Sequence, residues 1–120
     1  MDNSMKENAV KNKSFALAIE IVNLYRFLCE DKKEFVMSKQ LLRSGTSIGA
    51  MVRESEHAES KSDFIHKLSI ALKEANESEY WLELLVQSNY LSKKVFEKIN
   101  TQLTEILKLL TAIIKSSKNN

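Results

Sequence analysis

The stretch "QLLRSGTSIGAMVRE", Gln40 to Glu54, holds both glycines of this chain, Gly45 and Gly49. It fits three readings: a phosphate loop, a pair of membrane helices, or a close approach of two soluble helices. A Walker-type loop needs G-x-x-x-x-G-K-[ST] after a strand, so that backbone N–H groups and a lysine converge on phosphates. Here the spacing is one residue short, no lysine follows the second glycine, and the preceding residues have helical character. Gly-x-x-x-Gly also pairs membrane helices, but charged residues flank it too closely for a span. Positions i and i+4 share one face of a helix, and two missing side chains there let a neighbour come close. Each glycine costs a helix roughly 1 kcal/mol against alanine, which implies a packing reason. The surviving reading is a soluble helical bundle.

The rest of the chain agrees. At 120 residues it supports one hydrophobic core, and the absence of proline favours long helices with short links. Residues 1–12 read as a polar, partly frayed N-terminus, followed by a single four-helix domain over 13–118. In the first helix Leu17, Ile21, Leu24 and Leu28 form one stripe, with Ala18, Val22, Tyr25 and Cys29 beside it. A second helix is expected from an N-cap at Ser38 to about Ala58, its face carrying Leu41, Gly45, Ile48 and Val52. "SKSD", Ser60 to Asp63, resembles a capping box and opens a third helix with the seam Phe64, Leu68, Ala71, Ala75, Ser78, Leu82 and Leu85. After a break near Asn89, Ser92 caps a fourth helix striped by Ile99, Leu103, Ile106, Leu110 and Ile113. The expected fold is all-α, an antiparallel up-down four-helix bundle.

Charge is nearly balanced overall but uneven along the chain. Residues 54–92 carry three Lys/Arg against eight Asp/Glu, whereas residues 93–120 carry six against two. The single cysteine, Cys29, excludes an internal disulfide and fits a reducing compartment. With no signal-like apolar run and no membrane span, a cytoplasmic location is expected.

Catalytic chemistry finds little purchase. Cys29 lies on an apolar stripe without a neighbouring histidine, and Ser44 and Ser47 lack a nucleophile elbow. No cofactor is implied and the chain reads as a non-enzyme. A metal-binding bundle built on Glu54, His57, Asp63 and His66, with Glu20 and Glu105 completing a di-iron set, ranks last. Those histidines sit beside a helix-connecting turn rather than in the core, and one acidic-x-x-His pair uses Asp.

Binding surfaces are the stronger candidates. Lys32, Lys33, Lys39 and Arg43 form one basic cluster, and Lys93, Lys94 and Lys98 another. In an up-down bundle both lie at the same end, where they would engage phosphate backbones without reading sequence. Arg43 has a second expected role, pairing with an acidic residue such as Glu79 on the third helix. On that helix Ile70, Trp81 and Leu84 project away from the seam, marking a homo-oligomer interface.

The combination of "QLLRSGTSI", the acidic turn "VRESEHAESKSDF", the helix "IALKEANESEYWLELL" and the connection "SNYLS" resembles a known family. It is that of the bacterial four-helix bundle proteins encoded within intervening sequences of 23S ribosomal RNA genes. The resemblance covers nearly the whole chain from about Met5, with Met51 standing where many relatives carry Asn. That family is similar to the accessory variability protein of diversity-generating retroelements, a pentameric barrel of bundles that binds a reverse transcriptase and nucleic acid. The resemblance therefore implies a homopentamer with a basic surface, and it supplies no catalytic residues. The leading expectation is a homo-oligomeric bundle that associates with RNA or DNA through its basic end. The alternative is a protein–protein adaptor or accessory subunit.

Overall fold

The structure, a computed structural model, describes residues 3–119. Four helices occupy them: α1 over Asn3–Glu30, α2 over Met37–Ser55, α3 over Lys61–Gln87 and α4 over Lys93–Lys118. Each packs on its neighbours in a ring, α1 on α2, α2 on α3, α3 on α4 and α4 on α1. Links of five or six residues between helices of this length force neighbours to run antiparallel. Ion pairs record the same direction: Lys13 meets Glu105 while Lys98 meets Glu20, so numbers rise on α1 as they fall on α4. The antiparallel four-helix bundle expected from the periodicity is the fold found. It measures 47 × 24 × 19 Å.

The core is built from the stripes. Leu17, Ile21, Leu24 and Leu28 of α1 meet Leu41, Ile48 and Val52 of α2, all buried. Leu68, Ala71, Ala75, Leu82 and Leu85 of α3 and Ile99, Leu103, Ile106, Leu110 and Ile113 of α4 close the other side. At the α2–α3 contact the buried hydroxyls of Ser44 and Ser78 lie 2.9 Å apart, and Ser78 Oγ also donates to the Glu74 carbonyl at 2.9 Å. That pairing satisfies two hydroxyls in a site that would otherwise leave them without water.

Three local expectations change. Within the segment read as a partly frayed arm, α1 is helical from Asn3, and Val10 is 1% exposed. Val10 and Ser14 extend the Leu17 stripe by two turns, so the core reaches further towards the N-terminus than the polar composition suggested. Met1 and Asp2 lie outside the described residues. Helix α2 starts at Met37 and ends at Ser55, and Ser38 is inside it rather than at its cap. The cap is the Glu34 carboxylate, which accepts the backbone N–H groups of Val36, Met37 and Ser38 at 2.8, 3.0 and 2.7 Å. The other two starts are as read: Ser60 Oγ accepts from Asp63 N–H at 3.0 Å and Ser92 Oγ from Val95 N–H at 3.2 Å.

Candidate functional site

One end of the bundle gathers the C-termini of α1 and α3, the N-termini of α2 and α4, and the turns 31–36 and 88–92. Lys32 and Lys33 lie on the first turn, Lys39 and Arg43 near the start of α2, and Lys93, Lys94 and Lys98 at the start of α4. All seven are exposed. The fold thus collects the basic residues singled out in the sequence.

They are not equivalent. Arg43 reaches across to α3, donating to Glu74 Oε2 at 2.9 Å and to Glu77. Lys98 pairs with Glu20 at 3.5 Å. Lys33, Lys39, Lys93 and Lys94 have no ion-pair partner among the described residues. Lys32 stands 5.9 Å from the centroid of the Phe27 ring.

The two turns at this end are held by their own backbone. In the first, Glu34 N–H reaches back to the Leu28 carbonyl at 2.9 Å, and Lys33 takes a left-handed conformation at φ 54°. In the second, Tyr90 N–H bonds the Leu85 carbonyl and Asn89 N–H the Val86 carbonyl, with Asn89 left-handed at φ 67°. This is a Schellman ending with Asn where glycine is commoner. Both turns are therefore fixed.

Between them opens a cleft of about 700 Å³. Its apolar lining includes Leu24 on α1, Leu91 in the second turn, and Val95 and Ile99 on α4. Phe27 and Tyr90 add two aromatic rings, Asn23 and Asn89 two amides, and Lys32 on the first turn and Lys93 at the start of α4 positive charge. Glu20, also on the lining, is the residue engaged by Lys98. No motif pointed to this cleft. The available signal was Phe27, set off the buried stripe and five residues before Lys32.

The Arg43 pairing on α3 differs from the Glu79 expectation. Glu74, Glu77 and Trp81 follow at three and four residues and share the face turned to α2, whereas Glu79 is rotated roughly 200° from Glu77. The Trp81 indole N–H donates to Glu77 Oε2 at 3.1 Å. That bond, with Arg43 alongside, holds the Glu77 carboxyl below its ordinary range, against the opposing effect of burial. Ile70, Trp81 and Leu84 are half-buried on the same face, and Trp81 packs against the core. More exposed apolar side chains are Met5, Phe15 and Ile19 on α1 at 60%, 52% and 50%, Phe35 and Val36 in the first turn at 58% and 75%, and Tyr80, beside Trp81 on α3, at 59%.

Two of the residues expected last as metal ligands hold local structure instead. Glu54 pairs with Lys67 at 3.2 Å, and the Asp63 carboxylate accepts the Glu59 N–H at 3.2 Å. His57 and His66 are exposed, and no group of three potential ligands converges among the described residues. Cys29 Sγ lies 3.9 Å from Ser38 Oγ. No helix among the described residues is long and apolar enough to cross a membrane.

Comparison with known proteins bears on nearly the whole chain. The family model described as 23S rRNA-intervening sequence protein matches residues 6–112. A crystal structure of a protein of unknown function from the S23 ribosomal protein family of Bacteroides thetaiotaomicron superposes with a TM-score of 0.91. The two are 63% identical over 92% of this chain and 98% of that one. A comparison with curated proteins found no match.

Proposed function

Since this chain belongs to the 23S rRNA-intervening sequence protein family, we propose that it is a non-enzymatic bundle that binds structured RNA through its basic end. The observation that carries the reading is the convergence at one end of Lys32 and Lys33, on the turn 31–36, with Lys93 and Lys94, in the first turn of α4. Four ammonium groups on fixed backbone neutralise phosphates at little entropic cost and release counterions. Arg43 and Lys98 stand outside this set, since carboxylates already hold them. Glu54, Glu56 and Glu59, around the turn from α2 to α3 at the far end of the bundle, repel phosphate there and orient the approach.

Self-association belongs to the same reading. Phe15 and Ile19, one turn apart on α1, leave apolar surface that a single bundle does not cover. A homo-oligomer, a pentamer by family resemblance, repeats the basic end around a ring and multiplies weak phosphate contacts.

Fluorescence anisotropy with a labelled structured RNA at several salt concentrations tests the proposal. The affinity should fall steeply with salt, and a Lys93→Glu/Lys94→Glu variant should weaken binding and lower the log–log slope by about two. Binding that is absent, or indifferent to salt and to these charges, would overturn it.

A further inference from the structure

We propose that the cleft between the two turns takes an unpaired base of the RNA, with the flanking phosphates on Lys32 and Lys93. This rests on the RNA reading above and assigns its specificity.

The chemistry of the cleft is that of a flat apolar body tied to an anion. Phe27 is 39% exposed at its wall, and Tyr90 lines it from the second turn. The volume of about 700 Å³ lies within the range of small-ligand sites. Asn23 and Asn89 offer amide donors and acceptors to the edge of a base. Lys32 from the first turn and Lys93 from the start of α4 bring charge to the same opening, and the Glu20 carboxylate is offset by Lys98. An RNA duplex keeps its bases stacked and its major groove too deep and narrow for side chains, so the base that enters must be a bulged or looped one. Aromatic faces accept any base, which makes the cleft a reader of unpaired nucleotides and not of sequence.

The test uses three RNA hairpins of equal length: fully paired, with a single-nucleotide 2-aminopurine bulge, and with the same bulge lacking its base. The bulged hairpin should bind about tenfold more tightly than the paired one, the size expected of one base on an aromatic face. Its 2-aminopurine emission should fall on binding, and the bulge without a base should bind like the paired hairpin. Phe27→Ala should abolish the preference and the quenching while leaving the salt-dependent affinity for the paired hairpin in place. Phe27→Leu, which keeps apolar volume on the helix, should also lose the quenching, and helical circular dichroism verifies that both variants fold. If all three hairpins bind alike with a normal salt slope, the base pocket is wrong and the RNA reading stands. If none binds, both are wrong. A Phe27→Ala variant that changes the oligomeric mass without changing bulge preference would mean that a second copy fills the cleft, which also overturns the proposal.

Discussion

Gly45 and Gly49 look equivalent in sequence, yet their surroundings differ by half an ångström, enough to reverse the effect of a methyl group. A Cβ added at Gly45 would sit 3.0 Å from both Cγ1 and Cγ2 of Ile21, a β-branched side chain that is 1% exposed and has nowhere to turn. At Gly49 the nearest atoms are the Ser14 carbonyl and hydroxyl oxygens at 3.5 Å, an ordinary contact. Alanine improves helix propensity by roughly 1 kcal/mol at either site, whereas overpacking a core costs about 1–3 kcal/mol. Gly45→Ala should therefore lower stability by about 1 kcal/mol, and Gly49→Ala should raise it by up to ~1 kcal/mol. Urea unfolding of the two variants measures this, and shifts of the same sign would undo the packing argument. A second residue-scale prediction concerns Glu77. Its carboxyl is held down by the Trp81 indole first, then Arg43 and Lys73, with Glu74 sharing the Arg43 guanidinium. A carboxyl whose folded pKa is depressed adds stability that is complete above its unfolded value, about 4.3, and is lost as pH falls through the folded value. Stability should therefore decline below about pH 4.3 with a component that Glu77→Gln removes. Trp81 is the sole tryptophan, so its emission follows the same titration. An unchanged acid limb in the variant would assign the decline to other carboxylates.

Among the elements, α2 is held at both the points that the glycine motif left undetermined: where it starts and what it packs against. Its N-terminus has no side-chain cap from Val36, and the buried Glu34 carboxylate instead takes three consecutive N–H groups. Charge-assisted bonds at the positive end of a helix dipole are among the stronger local interactions. Glu34→Ala should cost about 2 kcal/mol, near the upper end for caps. Ser38→Ala loses the hydroxyl bond to the Glu34 carbonyl and the long contact with Cys29 Sγ, so its loss in a thermal melt should be the smaller of the two. The reverse order would return the cap to Ser38. Legibility in sequence followed the same division. The stripes of α3 and α4 were readable because 3.6-residue periodicity is a property of one helix alone, and so were the Ser60 and Ser92 caps, whose partners lie three residues on. The Glu34 cap escaped because a carboxylate ahead of a helix looks like any charged turn residue. Arg43 was readable as an ion-pair donor but not as the partner of Glu74 and Glu77, since that depends on the rotation of α3 against α2. The cleft was the least legible. It is a gap between two turns and two helices, and only the packing of all four creates it.

For the molecule as a whole, the question is whether one bundle is the stable unit. The four helices share one core, so unfolding of a single chain should be cooperative, with helix content and Trp81 emission lost together. Outside that core the bundle leaves Phe15 and Ile19 half exposed on α1, with Phe15 covered in part by the Arg53 guanidinium at 4.9 Å from its ring. A cation over a ring can screen an aromatic from water, whereas Ile19, one turn along the same face, is half exposed. If copies associate through this face, the folded state is stabilised by mass action and the unfolded chain is not. The denaturation midpoint should then rise with protein concentration, and light scattering should give the mass of an oligomer. Phe15→Lys/Ile19→Lys should remove both the concentration dependence and the excess mass while the helix content stays. The basic end lies at the C-terminus of α1, about 16 Å beyond Ile19 at 1.5 Å per residue, so the same variant should keep its salt-dependent affinity for RNA per bundle and lose only the avidity that comes from linked sites. A concentration-independent midpoint together with a monomer mass would leave the single bundle as the working unit, and the four lysines would then have to hold RNA without help from neighbouring copies.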